Sequence, residues 1–252
     1  ILALAKFYHD IKFENIKKIS FLFFPFLILT IPFIFVVMQP DLGTSLSILI
    51  LGVFILFLAG IRLWKFLLGF TVIIISIPLF LRFIKPYQRD RVISFLDPES
   101  DPLGQGYQLI QSKIALGSGG GTGKGFLQGT QSYLEYLPEK QTDFIFTLIG
   151  EEFGFLGTIF IIFLFILLIG VCYFISIKCF HVFGRIIALG VASNIFIYVF
   201  MNIAMVSGLM PVVGIPLPLI SYGGSVMLSI MISIGLVLNV ELNYNLKKFN
   251  NA

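Results

Sequence analysis

Residues Gln111 to Glu152 read QSKIALGSGGGTGKGFLQGTQSYLEYLPEKQTDFIFTLIGEE, the long polar passage of an otherwise apolar chain. The passage sits in a connection running from Lys85 to Thr142 between two apolar spans. A connection of that length without strong periodicity is uncommon unless it carries a function. It holds most of the ionisable residues outside the chain ends and leads directly into an acid, Asp143, at the mouth of an apolar helix. The expectation is that membrane helices build a cavity and this connection brings the chemistry to it.

Working outward, six apolar spans are read: Phe21–Met38, Leu42–Ile61, Leu63–Phe83, Phe153–Ile177, Ile186–Ser207 and Gly224–Val240. Each is long enough to cross roughly 30 Å of hydrocarbon at about 1.5 Å per residue. Pro25, Pro32 and Pro78 lie inside spans and are expected to kink them, which membrane helices tolerate where neighbours bond the freed carbonyls. Hydrophobic residues make up 58% of the 252 residues and charged residues 12%, with a mean hydropathy of +1.00. No soluble domain hides that much apolar surface. The fold class expected is therefore an all-α polytopic membrane protein. It has six transmembrane helices after a partial N-terminal one, and a large extracytoplasmic loop between the third and fourth complete spans. Residues 1–252 form one membrane-embedded domain, with 85–142 as its outer loop. The chain starts at Ile1, ILALAKFYHD reads as the tail of a helix already under way, and no signal-peptide pattern precedes it. An N-terminal portion is expected to be missing.

Basic residues set the orientation. Lys6, Lys12, Lys17, Lys18, Arg62, Lys65, Lys178, Arg185, Lys247 and Lys248 flank one side, against the acids Asp10, Glu14 and Glu241. By the positive-inside rule that side is cytoplasmic. The long connection, the Gln39-Pro40-Asp41 turn and the Gly208–Gly223 connection then face outward together. The net charge of +4 sets topology and does not point to nucleic acid. Cys172 and Cys179 lie near one end of a single span and read as packing thiols, not a disulfide framework.

Several motifs carry two readings. SGGGTGKG at Ser118–Gly125 lacks the glycine and hydroxyl positions of a nucleotide-binding P-loop. Its backbone N–H groups either cradle a pyrophosphate with Lys124 alongside or form a flexible hinge. Before it, Tyr107, Ile110 and Ile114 repeat at helical spacing opposite Gln108, Gln111 and Ser112, as in an amphipathic helix on the outer surface that ends at the glycines. That helix either caps the bundle or meets substrate. Asp143 is either an N-cap or a functional carboxylate at the hydrocarbon boundary. Helical spacing makes Glu151 the better second acid and turns Glu152 away. Asp41 fits turn chemistry. Arg89 and Arg91 suit an anionic headgroup or a solvated loop. Asn194, Tyr198 and Asn202 form a polar stripe of the kind that glues helices. His9 and His181 are assigned nothing.

Five blocks together make the chain recognisable: QPDLGTSL at Gln39–Leu46, FLDPESDPLGQGYQLIQSKIALGSGG at Phe95–Gly120, GFLQGTQSYLEYLPEKQTDFIF at Gly125–Phe146, GEEFGFLG at Gly150–Gly157 and GLMPVVGIPLPLISYGGS at Gly208–Ser225. In that order the chain resembles the shape, elongation, division and sporulation family of peptidoglycan glycosyltransferases. GTQS with TDFIF is similar to the elongation-type (RodA-like) members rather than the division-type ones. The resemblance implies polymerisation of lipid II at the outer face of the bacterial cytoplasmic membrane. The acceptor 4-hydroxyl attacks the anomeric carbon of the growing glycan and expels undecaprenyl pyrophosphate. It maps the family's essential aspartate onto Asp143 as general base. Lys113, Lys124, Arg89 and Arg91 become candidates for the pyrophosphate, and Gln111, Glu151 and Asp41 complete the substrate-binding candidates. The metal stays unknown, because no ligand set for a divalent cation such as Mg2+ assembles from the sequence. The implied partners are lipid II, membrane lipids and a class B penicillin-binding transpeptidase, with no nucleic acid. A lipid II flippase or other lipid transporter is the alternative, though a transporter concentrates polar residues at the bilayer midplane. A recruiting scaffold is a third reading and leaves Asp143 without a purpose.

Overall fold

The computed structural model describes residues 1–9, 11, 19–80, 86–101, 104–133 and 140–250. Among these, every regular element is helical. The order is α1 (Leu2–His9), a 3-10 turn (Ile19–Leu22), α2 (Phe23–Met38), α3 (Leu42–Leu58), α4 (Leu63–Phe80), α5 (Pro86–Leu96), α6 (Gln105–Ser118), α7 (Ile145–Lys178), α8 (Val182–Val206) and α9 (Gly224–Asn250). Helices α7, α8 and the Gly224–Asn243 part of α9 are long and apolar enough to cross a membrane, and α2 and α3 are shorter apolar helices. Phe160, Phe163, Ile166 and Leu167 on α7 are exposed, the arrangement expected of a helix whose solvent is lipid. An all-α polytopic membrane protein fits these observations. Asp10, Lys12, Glu14, Lys17 and Lys18 of the basic flank lie outside the described residues, as do Phe83, Lys85 and 137–139 of the connection.

Two compact units partition the chain, one comprising Ile1–Ile77, Leu167–Ile197 and Leu228–Ala252, the other Pro78–Ile166 and Tyr198–Met227. In the first, α2 and α3 form a hairpin. Asp41 caps α3 by accepting the Thr44 N–H at 2.9 Å. Gly43, Ser45, Ser47 and Gly52 are buried along α3, and the hydroxyls of Ser45 and Ser47 donate back to the carbonyls of Leu42 and Thr44. Small residues let backbones approach where the hydrophobic effect gives helices no reason to associate. Cys172 and Cys179 are buried free thiols.

In the second unit the connection, where a single helix ending at the glycines was expected, also contains α5 and the short helical turn Thr130–Tyr133. Pro86 stands at the first position of α5, where its missing N–H is not needed. Asp101 then joins α5 to α6: its Oδ2 accepts from Ser94 Oγ at 3.0 Å and from the Gly106 N–H at 3.3 Å. An acid at the start of α6 is also favoured by the helix dipole. Helix α6 ends at the glycines, as expected, but the face it buries differs from expectation. Leu109, Ser112 and Ala115 are buried, while Ile114 is exposed.

Helix α7 also starts earlier than the expected Phe153, because it is two helical segments joined at Gly154 (φ 65°, ψ −159°). This backbone conformation is essentially restricted to glycine. The break frees carbonyls before it and N–H groups after it, and apolar surroundings demand partners for all of them. The glycine-rich loop supplies them. Lys124 and Gly125 donate their N–H groups to the carbonyls of Glu151 and Glu152 at 3.0 Å each. Gly120 and Gly121 accept from the N–H groups of Phe155 and Leu156 at 2.9 and 3.1 Å. A Cβ on Gly123 would collide with the Glu152 carbonyl, and one on Gly154 with the Gly123 nitrogen.

Gly154→Ala is therefore expected to destabilise the purified protein by about 1–3 kcal/mol from backbone strain alone. Gly121→Ala, where a Cβ meets nothing within 4 Å, is expected to stay within about 0.5 kcal/mol of the parent. Thermal unfolding in detergent checks the pair, and equal melting temperatures would remove the docked-loop account.

Candidate active site

Asp143 lies just ahead of α7. The Phe144 carbonyl receives the first bonds of that helix, from the N–H groups of Thr147 at 3.0 Å and Leu148 at 3.2 Å. The cap position is thus Phe144, and Asp143 stands one residue outside the helix. Three consecutive carbonyls hold this segment. Gln141 accepts from the Tyr222 N–H at 2.9 Å, Thr142 from Ser221 Oγ at 2.6 Å, and Asp143 from Asn202 Nδ2 at 2.8 Å. Ser221 is itself fixed, since its oxygen accepts the Leu217 N–H at 2.7 Å. Asn202 donates a second time, to the Ile215 carbonyl at 2.7 Å. The carboxylate is half-buried and lies over Gly214, where an added Cβ would come within 3.3 Å of Asp143 Oδ2.

Helix α6 is tied to the same frame. Ser112 Oγ donates to the Val206 carbonyl at 2.8 Å and lies 2.9 Å from Thr147 Oγ1. A hydroxyl has one proton, so Thr147 is the donor in that second bond. Both side chains are fully buried. Lys113, next along α6, runs its side chain over Gly208, so a Cβ there would collide with Lys113 Cε. Its ammonium therefore stands just beyond the C-terminus of α8. Gln111 is half-buried on α6; on α5, Arg89 is exposed and Arg91 half-buried.

Glu151 occupies a different environment. It is fully buried, and its Oε1 accepts from Lys124 Nζ at 2.8 Å, from the Gln131 N–H at 3.0 Å and from Thr130 Oγ1 at 3.3 Å. Lys124 Nζ also donates to Thr130 Oγ1 at 2.8 Å. The N–H groups of Lys124 and Gly125 are given to α7, so the loop is docked rather than a loose hinge and those two donors are not presented to a pyrophosphate. Glu152 is buried as well. Asp41 belongs to the other unit and is the N-cap of α3. Among the described residues no three His, Cys, Asp or Glu side chains converge as a metal site would need. Asn202 was legible only as one member of a polar stripe, Ser112 only as part of a helix's polar side and Ser221 only within a family block. Their partners are carbonyls far along the chain.

The sequence profile of the Cell cycle protein family (FtsW/RodA/SpoVE) matches residues 1–246. The chain belongs to the Cell cycle protein family. Among its relatives, the peptidoglycan glycosyltransferase MrdB of Escherichia coli K12 is 50% identical over 213 residues, 83% of this chain and 57% of that protein. A probable peptidoglycan glycosyltransferase FtsW of Geobacter sp. M18 is 40% identical over 229 residues, 90% of this chain and 62% of that one. The stage V sporulation protein E of Bacillus subtilis is 40% identical over 249 residues, 96% and 65% respectively. The chain thus spans about three fifths of the length of these Cell cycle proteins. Its fold matches a chain from a study of how a peptidoglycan synthase complex coordinates polymerization and crosslinking. The TM-score is 0.78 and the identity 32%, over 96% of this chain and 67% of that chain. The rod shape determining protein RodA of Thermus thermophilus shares the fold, with a TM-score of 0.63 and 24% identity over 96% and 62%.

Removing one partner of a buried ion pair leaves an uncompensated charge and costs about 3–5 kcal/mol. Because Lys124 is 26% exposed, Lys124→Met is expected near the lower end, at about 3 kcal/mol. Adding Glu151→Gln keeps an acceptor for Gln131 and removes the stranded charge, so the double variant is expected to be more stable than Lys124→Met alone. Melting temperatures of the two variants decide this, and a double variant less stable than the single one would contradict the pairing.

Proposed function

We propose that this chain is part of a peptidoglycan glycosyltransferase that polymerises lipid II at the outer face of the bacterial cytoplasmic membrane, in cell elongation and shape maintenance. The observation that carries the reading is Asp143, half-buried ahead of an apolar helix, its carbonyl held by Asn202 of α8 and the carbonyl before it by Ser221. The relatives' names supply the reaction class, and the FtsW/RodA/SpoVE membership supplies the elongation and division context.

In this reading Asp143 takes the proton of the acceptor 4-hydroxyl as that oxygen bonds to the anomeric carbon of the growing strand. The bond from that carbon to undecaprenyl pyrophosphate breaks, and its electrons leave with the diphosphate. Cations oppose the charge that develops there. Lys113, Arg89 and Arg91 are the side chains proposed for it, with Gln111 as a neutral donor. Lys124 and Glu151 are proposed to act through the loop they hold, because their charges already meet each other. Asp41 is proposed to order the α2–α3 turn. A divalent cation such as Mg2+ would accompany the substrate's diphosphate.

The proposed layout is one membrane-embedded domain of six spans after α1, with the helical connection 85–142 facing outward. A class B penicillin-binding transpeptidase is the proposed partner, because strands must be crosslinked as they emerge. The likeness to a complex that coordinates polymerization with crosslinking supports it.

Asp143→Asn separates base from scaffold. Loss of a general base costs about 10²–10⁴-fold in rate, while the backbone carbonyl that Asn202 holds is unchanged. The variant is expected to fold and bind lipid II like the parent and to lose polymer by that factor, read with labelled lipid II and the full-length enzyme. Near-parental polymer would move suspicion to another acid.

Sidedness is checked separately. Cysteines introduced at Gly121 and Ser132 are expected to react with an impermeant maleimide in cells with a permeabilised outer membrane, and one at Lys247 is not. The reverse pattern would overturn the orientation.

A further inference from the structure

We propose that Asn202 is the positioning residue for Asp143, a single planar amide that sets where the carboxylate stands. The proposal rests on the reading of Asp143 as the base. Asn202 is fully buried in α8, and its Nδ2 gives one proton to the Asp143 carbonyl at 2.8 Å and the other to the Ile215 carbonyl at 2.7 Å. Both acceptors are carbonyls, so only the nitrogen end of the amide can face them. Oδ1 is buried and has no partner among the described residues. Leaving an acceptor dry costs free energy, so what the position retains is the pair of donors.

The two carbonyls mark two sides of one feature. The Asp143 carbonyl fixes the peptide plane beside the Cα that bears the carboxylate. Ile215 follows Gly214, the backbone that the carboxylate lies over. One rigid group thus sets both the carboxylate's stem and its floor. Helix–helix glue needs only some bond across an interface, whereas this fork demands two donors at a fixed angle.

The test compares Asn202→Leu, Asn202→Asp and Asp143→Asn in the full-length enzyme with labelled lipid II. Asn202→Leu removes both donors and is expected to lower kcat by about 10–100-fold, the scale of an ångström-sized misplacement, with KM within about threefold. Asn202→Asp is isosteric: ionised, it donates nothing and repels both carbonyls; protonated, it donates once. Its activity relative to the parent is expected to rise at least about fivefold from pH 8 to pH 6, because burial favours the neutral acid. Asp143 and Lys113 are common to both proteins, so their own protonation cancels in that ratio, and their fields on the introduced carboxyl have opposite signs, the acid favouring its neutral form and the ammonium its charged form. The 208–223 connection adds only Tyr222, and the C-terminal part of α8 adds no charge. Should Asn202→Leu fail to fold, the isosteric acid decides. A folded Asn202→Leu with parental kcat, a loss confined to KM, or a ratio flat with pH would overturn the proposal while an inactive Asp143→Asn keeps the base reading. An active Asp143→Asn would remove both.

Discussion

The interruption of α7 at Gly154 is the constraint on which the second unit depends. A helix broken in apolar surroundings strands backbone donors and acceptors that water cannot reach. The loop from Gly119 to Gly125 bonds them from both sides, accepting through Gly120 and Gly121 and donating through Lys124 and Gly125. Such close approach leaves no room for side chains, and a Cβ on Gly119 would collide with the Gly150 carbonyl. Once docked, the loop has little choice about Lys124, which lands against Glu151. That pair draws in Thr130 and the Gln131 N–H and so orders the helical turn Thr130–Tyr133.

The other end of the same helical segment is held by different means. Gln141, Thr142 and Asp143 each give a carbonyl to the 208–223 connection or to Asn202. Each bond contributes only about 0.5–1.5 kcal/mol net. Three in a row fix successive peptide planes, so their effect is on orientation more than on stability. The stretch Ile145–Phe153 is therefore anchored before its first turn and after its last, with Ser112 and Thr147 bracing its middle against α6.

The apolar helices and the end of α6 at Gly119 could be read from hydropathy and glycine placement. The break could not, because GEEFG looks like continuous helix and the groups that make it tolerable lie some thirty residues upstream. The same distance hid the purpose of the glycines, since a glycine-rich run reads alike whether it faces a phosphate or a broken helix. Helix α5 escaped because its mixed charges gave no clean period. The face of α6 was misjudged because Tyr107, Ile110 and Ile114 were read as its apolar side, whereas the buried side is Leu109, Ser112 and Ala115, with the Ser112 hydroxyl spent on the Val206 carbonyl.

Two acids stand eight positions apart on this frame, in unlike surroundings. Glu151 is sealed from solvent, and one of its oxygens takes three donors. A carboxylate so engaged stabilises the loop that carries Lys124. Asp143 keeps partial exposure, while its main chain is immobilised. A base must be fixed in position yet accessible at its oxygens, and pairs of acids in unlike environments are how folds assign such roles. Under the proposed reading, the Asn202 bond fixes the main chain of Asp143 through its carbonyl and leaves the placement of the carboxylate oxygens to the side chain's own contacts.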